Sequence, residues 1–415
     1  MEEFKLRDDF LLGVATASAQ VEGECYNNAW YEWTKNGDKT RDGTNSEHCN
    51  LHWRNYQANI KLLKDMHMEI YRMSLEWARV EPAKGVFDEA VMNRYIDEIR
   101  LLQSYGIRPL ITLHHFSNPI WFEKMGGFLH KDAVKIFEEY VRYVVRKLRN
   151  VTHEYCTINE PNIYAISSYL TGEWLAQQKS MSKTRKVSKN LCKCHISAYK
   201  IIHEMDKEAV VGFAASVGCF YPKNSKNIFQ KLEAKMFYRF FNNSYIEAMG
   251  FAKFFFPVGF LGHKKGRYYD YIGLNYYTRN EVKGFKYGPG EQFEHNNLGW
   301  SIYPEGIKEL SAYYHKMFNA DIWITENGTC DRDDAFRSKY IYNHLKMVSD
   351  LPYVKRYYHW CFLDNFEWKE GESAKFGLVA YDYKNDIKTI RKSGHFFTDI
   401  IDNKGVNEEM IKKYL

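Results

Sequence analysis

The feature that most constrains this chain is an alternation. Short apolar runs, β-branched or aromatic, recur from end to end, and stretches with helical periodicity lie between them. The runs fall at residues 11–15, 69–74, 108–113, 153–158, 209–215, 269–275, 321–325 and 355–362. Short runs of this kind, often bounded by turn residues, read as buried strands. The intervening stretches at 52–66, 89–105, 132–149, 187–205, 228–249, 304–318 and 334–349 repeat apolar side chains with the 3.6-residue period of an amphipathic helix, and a last helix is expected over 390–401. Pro304 suits a helix start, where its missing N–H costs nothing.

Strand–helix alternation of this kind points to a parallel sheet closed into a (β/α)8 TIM barrel, with a doubly wound open sheet as the structural rival. At 415 residues the chain exceeds a typical domain. A barrel tolerates insertions, so one barrel domain over residues 1–415 is expected, with no Pro/Gly/Ser-rich hinge to divide it. The barrel also says where to look for function, because its active sites are built at the C-terminal ends of the strands.

Two carboxylates stand there. The fourth run ends in Thr157-Ile158-Asn159-Glu160-Pro161 and the seventh in Ile324-Thr325-Glu326-Asn327-Gly328. A pair of glutamates suits glycosidic cleavage, one protonating the leaving oxygen and the other attacking the anomeric carbon. A retaining enzyme needs them about 5–5.5 Å apart. Either glutamate alone could equally be an acid favouring the helix dipole at a helix N-terminus.

The Asn159-Glu160-Pro161 and Thr325-Glu326-Asn327-Gly328 motifs resemble the acid/base and nucleophile signatures of glycoside hydrolase family 1, the β-glucosidase family. The resemblance runs almost the whole length. Phe10-Leu11-Leu12-Gly13 and Ala15-Thr16-Ala17-Ser18-Ala19-Gln20-Val21-Glu22-Gly23 are similar to its N-terminal signature. Tyr71-Arg72-Met73-Ser74-Leu75-Glu76-Trp77, Gly273-Leu274-Asn275-Tyr276-Tyr277-Thr278 and Leu363-Asp364-Asn365-Phe366-Glu367-Trp368 are similar to its second strand, its sixth strand and the segment after its eighth. Each motif is modest alone; all six in order are specific.

The resemblance implies roles. Glu160 would be the general acid and then the general base, its pKa raised by the charge of Glu326. Glu326 would be the nucleophile, kept anionic and oriented by Arg72 and Tyr277. Asn159 would bind the sugar 2-hydroxyl. Gln20, His115, Glu367 and Trp368 would contact the other hydroxyls, with Trp360 as a stacking floor and Asn275 and Phe376 in the same substrate-binding set. The bland readings are core aromatics for the tryptophans and a satisfied core histidine for His115, a reading that fits His114 better. Gln20 and Glu367 are harder to explain as core, since buried polar groups need partners.

The implied activity is hydrolysis of terminal β-D-glucosides by double displacement, with β-galactosides and β-fucosides as further candidates, no metal and no cofactor. The alternatives are a 6-phospho-β-glycosidase and a non-catalytic sugar-binding protein. Retention of Glu367, and of Phe376 after Lys375, favours an unphosphorylated sugar, because a carboxylate repels a 6-phosphate. Three features depart from the family. Phe116-Ser117-Asn118 follows His115, where relatives have Trp and then an acid. The chain is short, with barrel-mouth loops trimmed around residues 330–336, so the aglycone side should be open. Leu175-Ala176-Gln177-Gln178 replaces a stretch where relatives carry prolines.

Other classes fit poorly. There is no H-E-x-x-H, P-loop or G-x-G-x-x-G motif. The net charge of +6 is small against 58 basic and 52 acidic residues. The local cluster Lys179, Lys183, Arg185, Lys186, Lys189 and Lys193 reads as a solvated face, so no nucleic-acid partner is expected. No apolar run reaches the roughly 18 residues of a membrane span, and Glu2, Glu3, Lys5, Arg7, Asp8 and Asp9 leave no room for a secretory signal at the start. The eight cysteines are scattered, without C-x-x-C, which suits free thiols in a reducing cytoplasm.

Overall fold

The structure, a computed structural model, describes residues 1–260 and 264–415. Eight parallel strands form its centre: β1 (Leu11–Ala15), β2 (Ile70–Ser74), β3 (Arg108–His114), β4 (Glu154–Asn159), β5 (Val210–Pro222), β6 (Tyr271–Lys283), β7 (Asp321–Asn327) and β8 (Val354–Trp360). Each pairs with the next in sequence, and β8 pairs with β1, which closes the ring. The strands of a barrel covered by helices are buried on both sides, and β2 and β4 are buried at every position. The open doubly wound sheet is thereby replaced by the barrel.

Eight helices cover the ring: α1 (His52–Asp65), α2 (Glu89–Ser104), α3 (Ala133–Leu148), α4 (Met181–Met205), α5 (Ile228–Tyr238), α6 (Glu305–Phe318), α7 (Arg337–Val348) and α8 (Lys392–Asn403). Local chemistry sets several starts. The Asp88 carboxylate accepts the N–H groups of Ala90 and Val91 at the head of α2, and Pro304 is the N-cap of α6. Helix α4 begins six residues earlier than its apolar period indicates, at Met181, after the Ser180 N-cap. The basic cluster occupies these early polar turns.

Two further differences shape the barrel mouth. The single helix expected over 228–249 is interrupted after α5 by a π-turn at Arg239–Asn243 before Ser244–Phe251 resumes α-helix. There Asn242 exchanges two hydrogen bonds with the backbone of Gly218, at 2.9 and 3.1 Å, and the Asn162 amide takes the Phe241 carbonyl at 3.1 Å. Strands β5 and β6 also run past the rim together as far as the Pro222–Val282 pair, where the short strand Lys286–Gly288 folds back on β6. Outside the barrel the ribbon is only partly covered, so its pattern is no longer a continuous apolar run.

Candidate active site

Bulges shape the mouth. Register shifts fall between Cys156 and Asn159 on β4, between Leu274 and Asn275 on β6, and between Tyr357 and His359 on β8. A bulge re-aims the side chains beside it, and these lie beside Asn159, Glu160, Asn275 and Trp360. Phe116, Glu160 and Trp368 have positive φ (63°, 41° and 52°), a region that bulky residues avoid. Glu160 caps the short helix Pro161–Ala165, with proline at its first position.

The centre is a buried polar network. The Arg72 guanidinium, on β2, donates to Glu326 Oε1 at 2.6 Å, to Asn159 Oδ1 at 2.7 Å and to Thr112 Oγ1 at 3.0 Å. The Tyr277 hydroxyl donates to the other Glu326 oxygen at 2.7 Å. Strands β5 and β6 stand between the two glutamates in the ring. From β6, the Asn275 amide donates to Glu160 Oε1 at 2.8 Å and to Asn159 Oδ1 at 3.0 Å, while its carbonyl oxygen accepts the Thr325 hydroxyl at 2.7 Å. One asparagine thus ties β4 to β7 and fixes where Glu160 points.

These contacts treat the carboxyls unequally. Burial is the first cause pushing Glu160 up, to about 8, and the charge of Glu326 is the second. The motifs by themselves point only to that charge. Burial raises Glu326 too, but Arg72 and Tyr277 oppose it. Glu160 has no cation in hydrogen-bond contact, so the pair's first proton belongs on Glu160 and the negative charge on Glu326.

The sugar-binding candidates gather beside this pair. Asn159 accepts at Oδ1 from Arg72 and Asn275, so its amide nitrogen donates to His115 Nε2 at 2.9 Å. Burial holds the imidazole pKa well below its usual value. A neutral ring carries one N–H, which this contact places on Nδ1. That atom is buried and has no hydrogen-bond partner. Trp360 and Trp368 lie nearly parallel to the His115 ring, with centroids 5.9 and 6.1 Å away. Glu367 accepts from the Trp360 indole at 3.3 Å and from Gln20 at 3.2 Å, and burial pushes its pKa up to about 8. Phe376 packs near Tyr277.

A cavity of about 380 Å³ joins them. Glu160, Glu326, His115, Tyr277, Trp360, Glu367, Trp368 and Phe376 line it, while Arg72, Asn159, Asn275 and Gln20 hold the lining residues from behind. His114 bonds Asn118 and packs on Phe128, a core role. The motifs gave no hint of the outer wall. Trp174, Trp300, Phe220, Phe241 and Tyr287 complete it, and the β5–β6 ribbon contributes Ser216, Val217, Gly218 and Phe220 with Tyr277, Thr278 and Asn280. Residues 330–336 are not among the lining residues. Nothing in the structure explains the stretch 175–178.

The motif ends are also explained. A Cβ at Gly328 would sit 1.9 Å from the Trp360 carbonyl oxygen, so only glycine fits after Asn327. Asn327 donates to the Tyr276 carbonyl at 2.6 Å and accepts from the Tyr357 hydroxyl at 2.7 Å, fastening the end of β7 beneath Glu326.

This architecture is found in known proteins. A structure of a beta-glycosidase from Pyrococcus horikoshii is 31% identical, with a TM-score of 0.88 over 100% of this chain and 98% of that one. The Beta-glucosidase from Thermotoga maritima in complex with castanospermine is 25% identical, with a TM-score of 0.91 over 97% of this chain and 100% of that one. Beta-glucosidase A of Acetivibrio thermocellus is 27% identical over 98% of this chain and all of its own length. The family description "Glycosyl hydrolase family 1" matches residues 2–254 and 264–406. Barrel, strand-end carboxylates and an almost end-to-end match agree, and the chain belongs to glycosyl hydrolase family 1.

Proposed function

We propose that the protein is a retaining β-glycosidase that hydrolyses terminal, non-reducing β-D-glucosides by double displacement. The observation carrying this reading is the unequal carboxyl pair: Glu326 is charge-paired with Arg72 and hydrogen-bonded to Tyr277, and Glu160 is buried, raised and cation-free. In the first step Glu326 attacks the anomeric carbon while Glu160 gives its proton to the leaving oxygen. The glycosyl ester neutralises Glu326. The repulsion on Glu160 then falls, so it can take a proton from the water that releases the sugar. His115, Glu367 and Trp368 form the sugar pocket with Trp360, and Asn159 and Gln20 orient His115 and Glu367 from behind. The buried free thiols suit a reducing compartment such as the cytoplasm.

The test is release of phenol from an aryl β-D-glucoside by wild type and by Glu326→Ala. Wild type should turn over and the variant should lose at least about 10⁴-fold in kcat. With azide present, Glu326→Ala should yield an α-glycosyl azide and Glu160→Ala a β-glycosyl azide, because the small nucleophile enters from the face that the missing carboxylate occupied. Equal turnover by wild type and Glu326→Ala would refute the assignment.

A further inference from the structure

Helix α5 is apolar on two faces, and only one of them is covered. Its inner face carries Ala234 and Phe237 and packs, with Phe241, against Phe220 of β5 in a small cluster separate from the barrel core. Phe220 lies 6.0 Å from Phe237, 5.5 Å from Phe241 and 5.7 Å from Tyr287, centroid to centroid. Its outer face carries Ile228, Phe229, Leu232 and Met236, which are between 52% and 75% exposed. At about 100° per residue these four span roughly 100° of the helix circumference, one continuous stripe. A helix that is apolar all round is normally buried, and exposed contiguous apolar patches mark contact sites.

The stripe does not end with the helix. One turn beyond Met236, Phe240 meets the half-exposed Phe256, with centroids 6.0 Å apart. On the other side the tip of the β6 hairpin is held to α5 by the Gly284 N–H, which donates to Glu233 at 3.0 Å. That tip presents Phe285, 68% exposed. The rim is basic: Lys231 and Lys235 flank the stripe on α5, Lys226 just precedes the helix, and Lys283 and Lys286 flank Phe285, all exposed. Against them stands Glu233, already engaged by Gly284.

Two observations select the occupant. The lysine rim complements an anionic headgroup layer, and lysines at such a boundary keep their charge in the headgroups while apolar side chains enter the acyl region. The stripe also lies just across α5 from the cavity, because Phe220, Phe241 and Tyr287 form both the inner packing of α5 and the outer cavity wall. We infer that α5 and the β6 hairpin tip dock the protein on an anionic lipid surface, from which it takes amphiphilic β-glycosides whose alkyl aglycone lies along the Phe220–Phe241–Tyr287 wall. Among the described residues no helix is long and apolar enough to cross a membrane; this face lies on one. The inference rests on the glycosidase reading for its chemistry and adds the substrate class.

The experiment uses the full chain and vesicles of equimolar phosphatidylcholine and phosphatidylglycerol, with pure phosphatidylcholine for comparison. The variant is Phe229→Ser/Leu232→Ser/Phe285→Ser, exposed positions outside the site. Flotation should show wild type on the anionic vesicles, with weaker binding to phosphatidylcholine and at high salt. The variant should lose at least about 10-fold in partitioning, since each lost side chain removes burial of that order. Its kcat/KM on a soluble aryl glucoside should match wild type, while its rate on dodecyl β-D-glucoside in the same vesicles should fall about 10-fold. Vesicle binding that is absent, or unchanged in the variant, overturns the inference even if aryl glucosides are hydrolysed. Absence of aryl-glucoside turnover in wild type is a failure of the glycosidase reading instead, and flotation still decides docking. Sedimentation of wild type as a dimer that the substitutions dissociate, without vesicle binding, would assign the face to a second copy of the chain and overturn the lipid proposal.

Discussion

Replacing Tyr277 by Phe removes one hydroxyl and little else. That hydroxyl donates to Glu326 Oε2 at 2.7 Å in a buried site, while Arg72 holds the other oxygen. A hydrogen bond to a charged group contributes about 1.5–3 kcal/mol, so kcat/KM should fall by roughly 10- to 150-fold. The pH profile carries the sharper test. In the proposed mechanism activity requires Glu326 ionised and Glu160 protonated, so the acid limb would report Glu326 and the alkaline limb Glu160. The hydroxyl favours the carboxylate. Without it the Glu326 pKa rises, and the acid limb should move to higher pH by about one to two units. The alkaline limb should stay near its wild-type position, because burial, the main cause of the raised Glu160 pKa, is unchanged. The assay is kcat/KM for an aryl β-D-glucoside across pH, with the fold checked by circular dichroism. A variant with lower activity but an unmoved acid limb would refute the claim that Tyr277 acts through the ionisation of Glu326.

Further outcomes follow from the same contacts. Glu160→Gln should be stabilised relative to wild type as pH rises from about 5 to about 8. Over that window the folded Glu160, raised to about 8 from 4.5, keeps a proton that the unfolded chain has lost, so wild-type stability falls with pH; thermal melts at several pH values measure it. Glu367→Gln should behave likewise, having the same raised pKa. Gly328→Ala should lose soluble expression or activity, because its Cβ meets the Trp360 carbonyl oxygen; wild-type yield and rate would contradict the geometry. Glu154→Ala should lower stability by about 3–5 kcal/mol in denaturant titration, because Glu154 pairs with the buried Arg356 on β8 and the substitution leaves that charge uncompensated.

The eight barrel strands were legible because within the ring each is short and buried on both sides, which writes a nearly continuous apolar run. Glu160 and Glu326 were legible as candidates because a barrel gives meaning to polar residues directly after such runs. The extension of β6 was not, since Thr278–Glu281 beyond the rim are only half covered and their pattern looks like loop. Trp174, Trp300 and Tyr287 were missed because nothing local separates a cavity wall from a core aromatic. The π-turn at Arg239–Asn243 depends on Asn242 finding Gly218 across the fold, a contact no period announces. The leading cause of the raised Glu160 pKa was missed for the same reason: charge neighbours can be read from motifs, whereas burial is a property of the whole assembly.

The ribbon of β5 and β6 beyond the rim has a consequence for how such an enzyme diversifies. A cavity wall made of loop changes by insertion and deletion, which moves backbone and neighbours together. A wall made of paired strands is more like a keyboard: positions 216, 217, 218 and 220 on one strand and 277, 278 and 280 on the other play into the cavity, each from a fixed place in the pairing. Each key can be exchanged without retuning its neighbour. Gly218 is the silent one, for a Cβ there would meet nothing closer than the 3.4 Å contact with Phe220. Adding a side chain at that one position should narrow the range of leaving groups accepted while the chemistry at Glu160 and Glu326 continues unaltered.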